Sequence, residues 1–184
     1  MNNLAAAPSN RDQLGGLGAI PAMILSMETN LEFPSVLERM SAALLNMVVD
    51  HKANKEKVIG AGGMAAGLAA MRTHGDHAGV QEQACRFLRE AFTQNDANKK
   101  AFVDLGGCQT IATGMRTSLA FEDLQFVACQ ALSSLSGPTA LKASVAESGA
   151  VEAIIEAMKA FPANPKVQEQ VITCFNPDFL HNLS

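Results

Sequence analysis

Residues 62–91 read GGMAAGLAAMRTHGDHAGVQEQACRFLREA and contain the features that decide the fold. A glycine corner is followed by apolar residues at helical spacing, by a polar loop, and by a longer apolar pattern that begins at Val80. The same order of features returns 44 residues later, from Gly106. A period of this length is typical of helical repeat arrays, in which each repeat is one small structural unit.

Three independent sets of residues keep this period through four units. The corner glycines are Gly18, Gly62, Gly106 and Gly149. An apolar residue follows each glycine at a constant distance, at Val36, Val80, Leu124 and Val167. The next position holds Gln81, Gln125 and Gln168, with Leu37 in the first unit. A third set precedes the glycines, at Asn10, Asn54 and Asn98, with Leu141 in the last unit. Three sets with one spacing indicate four related units in series.

Each unit is predicted to fold as three helices. In the second unit, Asn54 is expected to cap a short helix over 55–59, because its side chain can accept hydrogen bonds from free backbone N–H groups. Gly62 is expected to end that helix in a left-handed conformation. A second helix over 63–72 and a longer third helix over 79–93 follow, because their apolar residues recur at helical spacing. Val and Ile do not alternate with polar residues as they do in strands.

One helix trio cannot bury its apolar side alone, so we predict an all-α solenoid of about four stacked units, the last incomplete. Pro34 and Pro165 mark the starts of two third helices, because proline suits the first helical turn. Pro177 interrupts the last helix, and the apolar tail with Phe179 and Leu180 is expected to fold back as a cap, to lead into a longer array, or to meet a second copy. The predicted boundaries are a flexible segment at 1–9, a single domain at 10–184 with unit cores at about 10–53, 54–97, 98–140 and 141–177, and a tail at 178–184.

The glycine corner, the run Met71-Arg72-Thr73-His74 and the Val-Gln…Ala…Leu pattern of the third helix resemble armadillo repeats with a period near 44 residues. The resemblance covers about residues 10–175. It implies a right-handed superhelix in which the third helices line a concave face. It also implies that this face binds an extended peptide or a partner protein.

The composition favours a folded chain and disfavours several classes of function. Hydrophobic residues make up 48% and charged residues 17%, so the chain can bury a core. A net charge of −4 and the absence of Trp and Tyr disfavour nucleic-acid binding. No apolar run reaches the roughly 18 residues that span a bilayer, and the first residues lack a secretory pattern. We therefore expect a cytoplasmic or nuclear protein without nucleic-acid or membrane partners.

The four cysteines are expected to be buried, reduced thiols, because their spacings match no zinc framework. Cys85 and Cys129 hold equivalent positions in adjacent units. Stacked helices lie about 8–10 Å apart, whereas a disulfide needs Cα atoms within about 7 Å. These two cysteines are therefore predicted to be parallel core residues rather than a bridge.

No group of residues predicts catalysis. The segment 60–65 loosely fits a dinucleotide-binding glycine pattern, but helix-like polar residues precede it where a strand is required. His74 and His77 flank Asp76, yet no other unit repeats them, so a solvated turn is predicted there rather than a metal site. An open groove also lacks the pocket that an enzyme needs. We predict no enzymatic activity, no metal and no cofactor.

The third helices are predicted to carry the binding site, on the face that the resemblance makes concave. The predicted residues are Arg39, Ala42, Asn46, Gln83, Arg86, Glu90, Val127, Gln130, Ser134, Gln170 and Thr173. Arg39 and Arg86 are the cations of this face, and guanidinium groups hold carboxylates and phosphates through paired hydrogen bonds. We therefore expect the ligand to be a protein or peptide segment, extended and either acidic or phosphorylated; the alternative is a solvated face without a ligand.

The sequence suggests three other kinds of interaction, one of which it disfavours. A regulatory co-factor of a chaperone or small GTPase would bind through the edge or the convex face. Nuclear-import receptors of the family carry a Trp four residues before an Asn in the third helix, and here only Asn46 matches, which argues against an import adaptor. Self-association through open ends of the array is also expected to be possible.

Overall fold

The computed structural model describes residues 7–135 and 139–175, and within these ranges it is all-helical. The helices are α1 (Pro8–Gly16), α2 (Ala19–Thr29), α3 (Pro34–Val48), α4 (Lys52–Gly60), α5 (Gly63–Thr73), α6 (Ala78–Phe92), α7 (Asp96–Asp104), α8 (Gly107–Thr117), α9 (Glu122–Leu135), α10 (Thr139–Glu147), α11 (Ala150–Ala160) and α12 (Pro165–Cys174). The predictions about Pro177, Phe179, Leu180 and the tail at 178–184 fall outside the described residues. No helix in the described part of the chain is both long and apolar enough to cross a membrane.

The helices fall into four trios that follow the predicted period. Each trio has a short first helix, a second helix of 11 residues and a third helix, which is the longest in the first three trios. The corner glycines open the second helices with φ angles of 82°, 82°, 74° and 78°, in the left-handed region that favours glycine. Pro34 and Pro165 are the first residues of α3 and α12, as predicted.

The prediction that Asn54 caps the short helix is wrong. α4 begins at Lys52, and the cap is His51, whose Nδ1 accepts a hydrogen bond from the Asn54 backbone N–H at 3.2 Å. Asn54 is buried, and its side chain donates to the carbonyls of Met47 and Arg11 at 3.0 and 3.1 Å. It therefore ties the short helix to the preceding unit. Similarly, α1 begins at Pro8, within the segment predicted to be flexible.

Equivalent helices of successive trios pack against each other. The third helices contact in the order α3, α6, α9, α12, and the second helices in the order α2, α5, α8, α11. Contacts also join the short helices α1 with α4 and α7 with α10. The core runs continuously between these rows, and its largest fully buried side chains include Phe87, Phe92 and Phe102.

The repeated glutamine joins the second and third helices within a unit. Gln81 Nε2 donates to the carbonyls of Met71 and His74 at 2.6 and 2.9 Å, at the end of α5. Gln125 and Gln168 make the equivalent pairs of hydrogen bonds at 2.8–3.1 Å. The side chain thus satisfies carbonyls that a helix end leaves without intrahelical partners.

Arginine side chains join one unit to the next. Arg72, near the end of α5, donates through Nη2 to the carbonyl of Leu105 at 2.6 Å. Arg116 holds the same position in the third unit and donates to the carbonyl of Gly149 at 2.8 Å. Both acceptors lie at the corner that opens the second helix of the following unit. Lys159 occupies this position in the fourth unit and is exposed.

Candidate partner-binding face

The four third helices have one side that no other helix of the described residues covers, which we call the third-helix face. Buried leucines at equivalent positions, Leu44, Leu88 and Leu132, fix the opposite side of α3, α6 and α9 in the core. Of the predicted site residues, Arg39 and Thr173 are exposed. Those partly exposed are Ala42, Asn46, Gln83, Arg86, Glu90, Gln130, Ser134 and Gln170. The structure therefore brings ten of the eleven predicted residues to the surface of these helices.

Val127 does not belong to this face. Its side chain is 1% exposed, and its backbone carbonyl lies 3.8 Å from the Cys85 sulfur of α6, as a hydrogen-bond acceptor. The repeat position placed it with Arg39 and Gln83, but the side chain is apolar and packs into the core. The polar row is therefore interrupted in the third unit.

Arg86 is already paired. Its Nε donates to Glu82 Oε1, one turn earlier on α6, at 2.9 Å. The two side chains are 35% and 26% exposed, so an incoming carboxylate can reach the guanidinium by displacing Glu82. The sequence predicted Arg86 as a cation of this face but did not reveal its pairing with Glu82.

Glu90 is paired with a short helix rather than open to a ligand. Its Oε1 accepts from Lys55 Nζ of α4 at 2.6 Å, and both side chains are largely buried. This ion pair borders a cleft of about 480 Å³ that is also lined by His51, Asn95 and Asn98. Glu90 therefore holds α4 against α6.

Arg89 is a residue of this face that sequence reasoning missed. Its Nη1 donates to Gln130 Oε1 of α9, so the guanidinium bridges two third helices. Ser134 Oγ donates to the Gln130 backbone carbonyl at 2.7 Å. The sequence does place Arg89 one helical turn after Cys85 and outside the apolar stripe of this helix, a pattern that predicts an exposed side chain. The centre of the face therefore carries two guanidinium groups, from Arg86 and Arg89.

A second missed group joins the third and fourth units. Lys166 Nζ donates to Asp123 Oδ1 at 2.7 Å and lies 4.7 Å from the centre of the Phe126 ring. The hydrogen bond from Lys166, followed by its charge, lowers the pKa of the Asp123 carboxyl below its ordinary value.

The loops before the third helices form an edge with exposed aromatic rings. Phe33 is 58% exposed and Phe121 is 52% exposed, and they hold equivalent positions in the first and third units. His77 holds that position in between, with its Nδ1 4.0 Å from Glu38. A shallow cleft of about 340 Å³ beside Phe121 is lined by Glu82 and Asp123, among others. This edge is both apolar and acidic.

The remaining candidate ligands have structural roles. His77 Nδ1 accepts from the Val80 N–H at 3.2 Å and caps α6, while His74 Nε2 donates to the Leu31 carbonyl of the preceding unit at 2.8 Å. Within the described ranges, no three His, Cys, Asp or Glu side chains gather as a metal site would require.

All four cysteines are free and buried, as predicted. Burial raises the pKa of both Cys85 and Cys108 to about 12. A hydrogen bond with Cys174 and burial raise the pKa of Cys129. Protonated, buried thiols are poor nucleophiles.

Comparison with protein-family models and with curated proteins finds no match to this chain. The functional assignment therefore depends on the geometry of the third-helix face and its edge.

Proposed function

We propose that this chain is an armadillo-type α-solenoid that binds an extended protein segment on a concave, third-helix face, without chemistry of its own. The observation that carries the proposal is the order of the third helices, which pack side by side through all four units and leave one continuous surface. Repeat folds of this kind present extended binding surfaces because each unit adds one helix to the same face. With four free, buried thiols, the proposed compartment is the cytoplasm or the nucleus.

The chemistry of the face favours an acidic or phosphorylated segment. Arg39 is exposed, and Arg86 and Arg89 lie at the centre of the face, each satisfied by a side chain that a ligand can replace. Asn46 and Gln83 supply amide groups that hydrogen-bond to a peptide backbone. Guanidinium groups bind carboxylates and phosphates in paired geometry, which gives both affinity and orientation.

The test uses a peptide-display library that includes acidic and phosphorylated segments, followed by fluorescence polarisation with the selected peptides. We expect the Arg39→Glu, Arg86→Glu variant to lose at least about tenfold in affinity, since a hydrogen bond to a charged group contributes about 1.5–3 kcal/mol. Glu82→Gln is expected to strengthen binding, because it releases Arg86 from its partner. The matched control is Lys52→Glu with Lys100→Glu, which changes the net charge equally at exposed positions of short helices.

Two results would overturn this proposal. One is an unchanged affinity of the arginine variant for every selected peptide, with circular dichroism showing the wild-type helix content. The other is an equal loss in the lysine control, which would assign the effect to net charge rather than to the third-helix face.

A second candidate function is favoured by the exposed rings of Phe33 and Phe121. We propose as the alternative that the edge binds a folded partner, as a regulatory co-factor of a chaperone or small GTPase would. Phenylalanine is enriched at protein–protein interfaces relative to the rest of the surface. In a lysate pull-down, partners of this kind are lost with Phe33→Ser, Phe121→Ser and kept by the arginine variant, whereas ligands of the third-helix face show the opposite pattern.

A further inference from the structure

Each of the first three units has a rear side, which packs against the unit that follows. Two repeat positions define it on the second and third helices. On the second helix, Met27, Met71 and Met115 are 1%, 2% and 0% exposed. On the third helix, Ser41, Cys85 and Cys129 are all 0% exposed. These positions are buried because the next second and third helices cover them.

The fourth unit carries apolar residues at the same positions, but they are exposed. Met158 is 39% exposed and Ile172 is 62% exposed. A third position behaves in the same way, since Leu68 and Ala112 are buried whereas Ile155 is 37% exposed. Residues suited to an interface between units therefore form an open rear face on α11 and α12.

The opposite, front side of each unit has small residues that accept this rear side. Ala66 and Ala70 of the second unit are 4% and 0% exposed. Gly63, on the same helix, approaches the preceding unit so closely that an added Cβ would lie 3.2 Å from Ile24 Cδ1. In the first unit, the positions of Ala66 and Ala70 hold Ala22, which is exposed, and Ser26, which is half-buried. The front face of the first unit is thus partly open, and it also carries small side chains.

The polar contact between units also has a possible donor on the fourth unit and a possible acceptor on the first unit. Arg72 and Arg116 donate to the corner of the following unit, and Lys159 stands at their position in the fourth unit and is exposed. In the first unit, Leu17 holds the position of Leu105, the residue whose carbonyl accepts from Arg72. The side chain of Leu17 is 76% exposed.

We propose that the rear face of the fourth unit binds the front face of the first unit of a second copy, so that copies associate head to tail. The interface continues the series of contacts between units, with Ile155, Met158 and Ile172 against Ala22 and Ser26. It joins two different surfaces, so it leaves one free face at each end of every assembly and permits growth beyond a dimer. The proposal is independent of ligand binding on the third-helix face.

The first experiment is sedimentation velocity of the full chain over a concentration series that reaches about 100 μM, since a small apolar interface is expected to bind in the micromolar range. The average mass is expected to rise with concentration above the monomer value of 19.4 kDa. Ile172→Glu and Ala22→Glu are each expected to return the chain to the monomer mass. The matched control is Phe121→Glu, which places the same charge at an exposed apolar residue away from both end faces and is expected to keep the wild-type mass.

A mixing experiment separates head-to-tail association from symmetric pairing. Ile172→Glu retains an intact front face and Ala22→Glu retains an intact rear face, so an equimolar mixture is expected to form a dimer that grows no further. Because both residues are exposed, circular dichroism is expected to show wild-type folding; Met158→Lys serves as a second rear-face variant.

Two outcomes would overturn the proposal. A wild-type chain that stays monomeric throughout the series is the first; if a chain shortened to residue 175 then associates, residues 176–184 are the occupant of the rear face. Continued dimerisation of Ala22→Glu alone is the second, because it indicates symmetric pairing of rear faces.

Discussion

The rear sides of the second and third units are closed by the unit that follows, whereas that of the fourth unit is open. Cys85 and Cys129 are fully buried, and Ile172 at the same repeat position is 62% exposed. The difference does not come from side-chain chemistry, since isoleucine is more apolar than cysteine or the Ser41 of the first unit. It shows that burial in a repeat array depends on the neighbouring unit rather than on the local sequence.

The largest expected contrast is in thiol reactivity at this one repeat position. In an Ile172→Cys variant, the new thiol is expected to react with a maleimide at the rate of an exposed cysteine. Cys85 and Cys129 are expected to react about a thousandfold more slowly, because labelling requires local opening that costs about 4 kcal/mol and because their raised pKa values keep both thiols protonated. Mass spectrometry of tryptic peptides measures each rate. Similar rates at all three sites would show that the following unit does not cover Cys85 and Cys129.

A stability measurement at the methionine position tests the same contrast with one residue type. Met71→Ala is expected to destabilise the fold by about 2–5 kcal/mol, because it leaves a cavity in a packed interface. Met158→Ala is expected to cost less than about 1 kcal/mol, since its side chain is already partly in water. Urea unfolding at low protein concentration gives both values. Equal losses would mean that the fourth unit is covered in solution.

The glutamine position separates an inner unit from the last one by a polar interaction. Gln125 is fully buried, so Gln125→Ala is expected to cost about 1–3 kcal/mol, because it removes the side-chain donor to the Met115 carbonyl and leaves the Ser118 carbonyl with only the Phe121 N–H. Gln168 makes the same two hydrogen bonds near the surface, where water can replace it. Gln168→Ala is therefore expected to cost about 1 kcal/mol or less. A larger loss of stability for Gln168→Ala than for Gln125→Ala would contradict the idea that the hydrogen bonds of the inner unit are the more buried ones.

The smallest expected effect concerns the ion pair between the third and fourth units. Lys166→Met is expected to raise the pKa of Asp123 towards 3.8, which a carbon-detected NMR titration measures. Because the folded-state pKa is lowered, the pair stabilises the fold above the unfolded pKa and loses this contribution as the pH falls through the folded value. Both side chains are about half exposed, so the change in stability at neutral pH is expected to stay below about 0.5 kcal/mol. An unmoved titration curve would show that the pair does not form.

Local features of the fold were predictable because backbone conformation and short-range sequence dictate them. The corner glycines lie where the backbone has a positive φ angle, which glycine adopts easily. The prolines lie at the first positions of α3 and α12, where the fixed φ angle of proline suits a helix. The error at Asn54 has a physical cause. An asparagine near a helix start resembles a cap, but its buried amide is held by carbonyls of the preceding unit, so the helix begins earlier, after His51.

The candidate site was less predictable, because its side chains are placed by their neighbours. Repeat spacing brought Arg39, Gln83 and Arg86 to the third-helix face, but it also assigned Val127 to it. Repeat spacing predicts only the direction in which a residue points from the helix axis. Val127 lies near the border between the core and the surface, and because its side chain is apolar it packs into the core. The pairing of Arg86 with Glu82, and of Arg89 with Gln130, depends on distances that the spacing does not specify.

The sequence by itself determined the helical trios, their period and the left-handed corners, because these follow from local conformational preferences and from the recurrence of apolar residues. Only the tertiary structure decided which of the equivalent positions are covered, which charges are paired and where the open surfaces lie. Those properties depend on contacts between units about 44 residues apart. Identical residues such as Met71 and Met158 differ in exposure because α8 packs behind α5, whereas no helix of the described residues packs behind α11.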